Sequence, residues 1–159
     1  MEIQSLAPEE VARFRAIRLR ALREAPGAFG TRFEDALGWS HGTWSELFAG
    51  LHAFVAVARG KDVGMVRSAP DLQVSTAARL GSLWVAPEAR GTGVGSALVD
   101  TVLAWARDRG FTEVLLDVSD DNAFAIALYD RMGFEPTGVV SAFPPPREHL
   151  GKHQRRLAL

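Results

Sequence analysis

Three glycines, Gly91, Gly93 and Gly95, fall within five residues of the stretch ARGTGVGSAL. The residues that follow favour a helix, so the glycines are predicted to form the turn into it. Such a turn offers unpaired backbone N–H groups and the positive end of the helix dipole, both of which favour phosphate. The stretch therefore predicts a phosphate-binding site.

Two common phosphate-binding loops do not match this stretch. A P-loop has a lysine and then serine or threonine after its last glycine, whereas Gly95 is followed by Ser96 with no lysine nearby. A dinucleotide fingerprint has the pattern G-x-G-x-x-G, and its last position counted from Gly91 is Ser96. The acidic residue expected about 20 residues later could only be Glu113, which opens a strand. Both nucleotide-binding interpretations are therefore weak.

A second group of residues lies on the next predicted helix. Asn122, Ala125 and Tyr129 are spaced i, i+3 and i+7, so they share one helix face, with Asn122 and Tyr129 about two turns apart. Tyr129 is the only tyrosine of the chain. A plain helix N-cap would equally explain Asn122, and packing of an aromatic ring would equally explain Tyr129.

The order of predicted helices and strands along the chain indicates an α/β (α+β) fold with one mixed sheet and helices on both faces. The first helix is predicted to begin at Pro8, with Glu9 and Glu10 in its first turn. Before the glycine turn, the chain is predicted to form a helix over 41–50, a hairpin of strands 53–58 and 63–67 with its turn at Gly60–Asp62, and a strand over 79–86. After the turn come a helix over 94–109, a central strand over 113–119, a helix ending at Met132 and two last strands.

Length and composition set the broad class. The 159 residues predict a single domain over 1–159, with 47% hydrophobic and 23% charged residues as in ordinary globular proteins. The net charge of −1 gives no argument for a nucleic-acid or membrane partner. The chain has no cysteine, which excludes disulfides, thiolate zinc sites and a cysteine nucleophile, and we expect no metal. Without a signal-peptide pattern or a long apolar run, a cytoplasmic location is expected.

Three segments resemble the GCN5-related N-acetyltransferase (GNAT) superfamily, in its bacterial single-domain form. Arg90-x-x-Gly93-x-Gly95 falls on the R/Q-x-x-G-x-G/A pattern of its motif A. NAFAIALYDRMGF, residues 122–134, resembles the family's next helix, and RLRALREAPGAFG resembles the first helix and loop of many bacterial members. The resemblance implies a mostly antiparallel sheet and acetyl-CoA as co-substrate.

The resemblance also implies roles for individual residues. The strands on either side of the motif A helix should splay apart and admit the pantetheine arm. Tyr129 should protonate the departing thiolate of an amine-acetylation reaction that proceeds by direct attack in a ternary complex. The residues expected to bind acetyl-CoA are Leu83, Trp84, Val85, Arg90, Gly91, Thr92, Gly93, Val94, Gly95, Ser96, Asn122, Ala125 and Tyr129.

The general base and the acceptor stay open. Many relatives carry a glutamate on the strand before motif A, but residues 79–85 contain no acid. Other groups that could accept a proton are Glu34, Asp35, His41, His52, Asp117 and Ser119. The acceptor groove should involve the first helix and the loops AFGTRFEDALGW and SAFPPPREHLGKH, whose Arg32, Lys152 and His153 are basic. These charges do not select among a small amine, an amino acid, an antibiotic and a protein or peptide amine.

Two other functions fit parts of the pattern. A non-catalytic acyl-CoA-binding or sensing module would keep motif A without turnover, and a nucleotide-binding α/β protein would bind ATP or NAD instead of CoA. Assembly into a homodimer is also left open, as is an acyl donor longer than acetyl.

Overall fold

The computed structural model describes residues 1–159 as seven strands and five helices. The strands are β1 (Glu2–Ser5), β2 (His52–Ala58), β3 (Lys61–Pro70), β4 (Ala77–Val85), β5 (Glu113–Ser119), β6 (Glu135–Ala142) and β7 (Gly151–Ala158). The helices are α1 (Val11–Glu24), α2 (Phe33–Leu37), α3 (His41–Ala49), α4 (Val94–Asp108) and α5 (Ala123–Arg131). Short 3₁₀ turns at Pro26–Ala28 and Pro87–Ala89 follow α1 and β4.

All seven strands form one sheet in the order β1-β2-β3-β4-β5-β7-β6. Every pair is antiparallel except β4 with β5, which confirms the mixed, mostly antiparallel sheet. The central place of β5 follows from its sequence, EVLLDVS, because a strand with neighbours on both sides buries nearly all its side chains.

The helices lie on both faces of this sheet, as predicted. Trp84 of β4 donates its indole N–H to Glu24 at the end of α1, which places α1 on the face that carries this side chain. A Cβ built on Gly64 of β3 would meet Leu98 and Val94, so α4 covers the opposite face. A Cβ on Gly95 would lie 3.0 Å from Leu128, which places α5 beside α4.

Three local predictions were wrong or incomplete. Helix α1 begins at Val11, not Pro8, because the Glu10 carboxylate accepts the Ala7 N–H at 2.7 Å and closes a turn before the helix. The hairpin turn is Arg59–Gly60, both at positive φ, so Lys61 and Asp62 belong to β3. Helix α2 was not predicted, since five residues are too few to show a helical period.

Strands β4 and β5 pair only at their beginnings. Their register runs from Ala77 with Glu113 to Arg79 with Leu115, and beyond these positions the two strands no longer pair. Within β4 an extra residue interrupts the pairing with β3, and Ser82 there has a φ of 54°. A bulge of this kind bends a strand and is common beside functional sites. The sheet therefore opens between two central strands, as the resemblance implies.

Candidate functional site

The opening between β4 and β5 exposes backbone groups of β4. The Ala86 N–H donates to the Val63 carbonyl of β3 at 2.8 Å. Because successive residues of a strand direct their N–H groups to opposite sides, the Val85 N–H points away from β3 and into the opening. The Val85 carbonyl accepts a bond from Arg90 Nε at 3.0 Å. The structure thus leaves one backbone donor at the end of β4, beside the predicted Leu83 and Trp84.

The glycine turn lies immediately after β4, at the N-terminus of α4. None of the six consecutive N–H groups from residue 91 to residue 96 donates to a backbone carbonyl, and the first helical bond is from Ala97 to Gly93. Gly91 and Gly93 have φ values of 76° and 90°, a region that favours glycine. This geometry suits an anion, because the unpaired donors and the helix dipole act together.

Gly95 is explained by packing, and not by its backbone angles. A Cβ at this position would lie 3.0 Å from the Leu128 side chain and 3.7 Å from Val85. The glycine therefore lets α4, α5 and the end of β4 meet closely. Thr92, between the glycines, donates its hydroxyl to the Ala89 carbonyl at 2.6 Å, which fixes the turn from within.

Arg90, which begins the turn, is held by a carboxylate of α1 and a backbone carbonyl of β4. Its Nη2 donates to Glu24 Oε2 at 2.8 Å, and the same oxygen accepts the Trp84 indole N–H at 2.8 Å. The guanidinium also lies 5.7 Å from the Phe124 ring centre of α5. Glu24 was not predicted as a site residue, because its partners lie 60 and 66 residues away along the chain. The Glu24 carboxylate therefore connects α1 both to β4, through Trp84, and to the turn that follows β4, through Arg90.

Helix α5 presents the predicted second group. The Asn122 Oδ1 accepts the Ala125 N–H at 3.2 Å, so this side chain is an N-cap and has its amide nitrogen left to donate. Tyr129 is 4% exposed, and its ring meets Phe134 at 5.5 Å, edge to face. Burial raises the pKa of the Tyr129 phenol above its ordinary value. The phenol therefore stays protonated at neutral pH and can donate a proton.

The residues considered as bases are dispersed. Asp117 borders the opening on β5 but is paired with Arg79 at 3.0 Å, and the buried Ser119 accepts the Asp121 N–H. Glu34 and Asp35 are exposed on α2, and His41 bonds Ser45 at the start of α3.

His52 belongs to a different part of the molecule. Its ring packs 5.2 Å from Trp105, at the far end of α4 from the glycine turn, and lines a cavity of about 540 Å³ there. Burial, with a smaller effect of the Arg109 charge, lowers the pKa of His52. At about 1.5 Å per helical residue, this end of α4 lies well over 10 Å from the turn.

The loops predicted to form the acceptor groove do meet. Arg147, in the loop between β6 and β7, donates to the carbonyls of Pro26 and Gly30 at 2.6 and 2.7 Å. A cavity of about 570 Å³ opens between α1, α2 and the end of β4, with Trp84 and Glu24 in its wall. Lys152 lies 5.8 Å from the Phe143 ring.

His153, also named for the groove, is fixed in a chain of polar contacts. Its Nδ1 bonds Asp120 at 2.8 Å, and its Nε2 accepts from Arg155 Nε at 3.0 Å. The buried Arg155 bonds Asp130 of α5 as well. Because Arg155 has no acceptor, the proton of a neutral His153 ring sits on Nδ1. This set ties β7 to α5.

The fold and the opened strand pair define an acyltransferase-type architecture, and comparison with known proteins identifies the family. The family described as "Acetyltransferase (GNAT) family" matches residues 14–134, which is more than half of the chain. The protein belongs to the GNAT acetyltransferase family.

Sequence relatives match part of the chain. Human N-acetyltransferase 8 is 44% identical over 88 residues, which are 54% of this chain and 39% of the relative. Mouse N-acetyltransferase family 8 member 3 is 42% identical over the same shares. The match thus covers well under two thirds of the length of these curated relatives.

Solved structures share the whole fold at low sequence identity. An acetyltransferase of the GNAT family from Streptococcus pneumoniae has a TM-score of 0.81 at 18% identity, with 99% of this chain and 98% of that chain covered. A ribosomal-protein-alanine N-acetyltransferase from Brucella melitensis has a TM-score of 0.75 at 22% identity, with both chains fully covered.

Two further properties concern membranes and metal ions. None of the helices combines the length and the apolar character that crossing a bilayer requires. No group of three or more His, Asp or Glu side chains is placed to hold a metal ion.

Proposed function

We propose that residues 1–159 form one acetyl-CoA-dependent N-acetyltransferase domain that acetylates a primary amine by direct attack in a ternary complex. The observation that carries this proposal is the run of six unpaired N–H groups, residues 91–96, placed beside an opening between two central strands. Family membership supports the same assignment. Acetyl-CoA would supply an activated acetyl group as a thioester.

The residues of the chain fit this co-substrate. The N–H groups of residues 91–96 would hold its pyrophosphate, because they are free and lie at a helix N-terminus. Backbone groups of Leu83, Trp84 and Val85 would hold the pantetheine arm, with the Val85 N–H available to the thioester oxygen as negative charge develops there. Arg90 would add positive charge to the turn, although its ion pair with Glu24 offsets part of it.

Tyr129 would act as the acid of the reaction. The leaving sulfur needs a proton, and the buried phenol is protonated throughout the working pH range, although its raised pKa makes it a weaker acid than an exposed tyrosine. Asn122 and Ala125, on the same face of α5, would line the pantetheine path. The attacking amine would lose its proton to water, because Asp117 and Glu24 are already paired with arginines.

Acetyl-CoA binding tests the proposal through two matched glycines. Gly93→Ala and Gly110→Ala each place a side chain at positive φ, 90° and 82°, and neither Cβ meets another atom within 4 Å. Both variants should lose similar stability, about 1–2 kcal/mol. Because Gly110 lies at the other end of α4, only Gly93→Ala should weaken acetyl-CoA binding.

The measurements are thermal protection by acetyl-CoA and release of CoA thiol with a panel of amines. Equal binding by the two glycine variants would remove the glycine turn from the binding site. Binding without thiol release across small amines, amino acids and peptides would favour the non-catalytic acyl-CoA-binding module instead. Protection by ATP or NAD but not by CoA would favour a nucleotide-binding protein.

A further inference from the structure

Two arginines on the α1 side of the sheet have no acidic partner. Arg18 is 6% exposed, and its Nη1 is fully enclosed without a hydrogen-bond partner. Burial, with a smaller effect of the Arg67 charge, lowers the pKa of Arg18 to about 9. Burial also lowers the pKa of Arg67, and no carboxylate opposes either shift. Two cations thus lie near each other, the buried Arg18 and the half-buried Arg67.

Three other buried or half-buried arginines are neutralised by carboxylates, whereas the half-buried Arg147 donates to two backbone carbonyls and the half-buried Arg15 has no acidic partner. Arg13 pairs with Asp62 at 2.7 Å, Arg79 with Asp71 at 2.8 Å, and the buried Arg155 with Asp130. A buried charge is costly unless it is paired, and two like charges add to that cost. The buried Arg18 has no ion pair and no hydrogen bond at Nη1, and the charge of Arg67 beside it adds to the cost, which calls for an anion from outside the chain.

The pair borders the opening between β4 and β5. Arg67 of β3 lies opposite Gly81 of β4, and a Cβ on Gly81 would come within 3.0 Å of the Arg67 Nε. The Arg67 guanidinium therefore extends across β4 immediately before the bulge at Ser82. Arg18 reaches the same region from α1 and lies 4.6 Å above the Phe29 ring, in the loop of the predicted acceptor groove.

We propose that Arg18 and Arg67 bind a carboxylate of the acetyl acceptor, so that the substrate is an amine that carries an acidic group. This inference rests on the proposed N-acetyltransferase function and adds a substrate class to it. Two guanidiniums can surround one carboxylate with several charge-assisted hydrogen bonds. The carboxylate belongs either to an amino acid or to an acidic residue of a peptide.

Matched acceptors test the substrate class. Amino acids with the amine at increasing distance from the carboxylate are compared with their carboxamides, and short peptides with Asp or Glu beside the N-terminus are compared with Asn or Gln versions. The acidic member of each pair should have the higher kcat/KM. If the amino acids are preferred over their carboxamides, the bound group is the free carboxylate of an amino acid. If the acidic peptides are preferred over their amide versions, the bound group is an acidic side chain. Equal rates within every pair would overturn the inference while leaving the acetyltransferase function intact.

Variants separate a binding role from a packing role. Arg67→Met and Arg18→Met keep most of the aliphatic stem and remove the charge, and Arg156→Met is the control, since Arg156 pairs with Glu113 at the surface. We expect KM for the acidic acceptor to rise about ten- to hundredfold in the first two variants, with KM for acetyl-CoA unchanged and KM for neutral amines much less affected. Arg67→Lys should retain part of the affinity that Arg67→Met loses, because lysine keeps the positive charge but cannot form the bidentate hydrogen bonds of a guanidinium.

Stability and direct binding give readouts that need no turnover. Removing the unpaired charge of the half-buried Arg67 should leave the ligand-free Arg67→Met protein at least as stable as wild type, whereas a structural arginine would leave it less stable. Propionate should protect wild type against heat more than propionamide at equal ionic strength, and the difference should vanish in Arg67→Met. A destabilised variant, or no difference between the two probes, would contradict the carboxylate site even if acetyl transfer were fully established.

Discussion

Replacing Tyr129 by phenylalanine isolates the hydroxyl proposed as the acid. The ring is 4% exposed and packs edge to face on Phe134, and phenylalanine keeps both features. We therefore expect the free energy of unfolding to change by less than about 1.5 kcal/mol, the net value of one hydrogen bond. Acetyl-CoA affinity should also be retained. Turnover should fall about 10²-fold, the lower end of general acid catalysis, because a thiolate is already a good leaving group.

The pH dependence follows from the raised pKa of the phenol. The rate should rise with pH as the attacking amine loses its proton. An exposed tyrosine would ionise at a pKa of about 10 and cause a fall at higher pH. Burial moves ionisation of Tyr129 above that value, so wild type should show no fall up to pH ~10. The Phe variant should run parallel to wild type, lower by a constant factor.

The assay is thiol release at saturating acetyl-CoA over the pH range, together with acetyl-CoA affinity from thermal protection. Phe134→Leu is the control, because it disturbs the packing of the ring and keeps the hydroxyl. If Tyr129→Phe turns over like wild type at every pH, the tyrosine only packs. An equal loss in Phe134→Leu would attribute the effect to ring position and not to the proton.

Three further predictions test the framework of the site. Gly95→Ala should lower the free energy of unfolding by about 1–3 kcal/mol in urea titrations, because the added Cβ would crowd Leu128 at 3.0 Å. Adding Leu128→Val to this variant should recover part of the loss, and additive effects of the two substitutions would contradict the contact. Glu24→Gln should lower KM for acetyl-CoA, because the amide no longer offsets the Arg90 charge, and a double-mutant cycle with Arg90→Met should show coupling that is absent if the ion pair is incidental. Initial rates should give intersecting double-reciprocal lines; parallel lines would indicate an acetyl-enzyme and contradict direct attack.

Much of the fold could be predicted because its signals are local. Helix α4 carries a glycine turn before it and Gly110 after it, and the apolar run of β5 marks a strand with two neighbours. The turn Arg59–Gly60 was displaced because a non-glycine residue adopts positive φ there. The start of α1 was displaced because a side chain, Glu10, bonds backbone outside the helix.

The site could be predicted from the sequence only where it is formed by backbone groups. The glycines required at 91 and 93 show in the sequence, whereas the partners of Arg90 depend on α1 folding back over β4. Arg18 did carry a signal, since it falls at an apolar position of the α1 pattern, four residues from both Phe14 and Leu22. A sequence pattern cannot show whether a charge at such a position finds a partner, because partners such as Arg67 come from distant strands.

The arginine pair also bears on the missing base. Residues 79–85 contain no acid, and Asp117 and Glu24 are paired, so the amine must lose its proton without a dedicated carboxylate. Nearby positive charge disfavours an ammonium ion and so lowers its pKa. With a carboxylate bound, Arg18 and Arg67 retain a net charge of about +1 in a partly buried region, where charges are screened less than in bulk water. Under the proposed function, one pair of side chains would therefore select an acidic acceptor and make its amine easier to deprotonate. The acid limb of the pH–rate profile measures this effect, and it should move to higher pH in Arg67→Met; an unmoved limb would leave deprotonation to water alone.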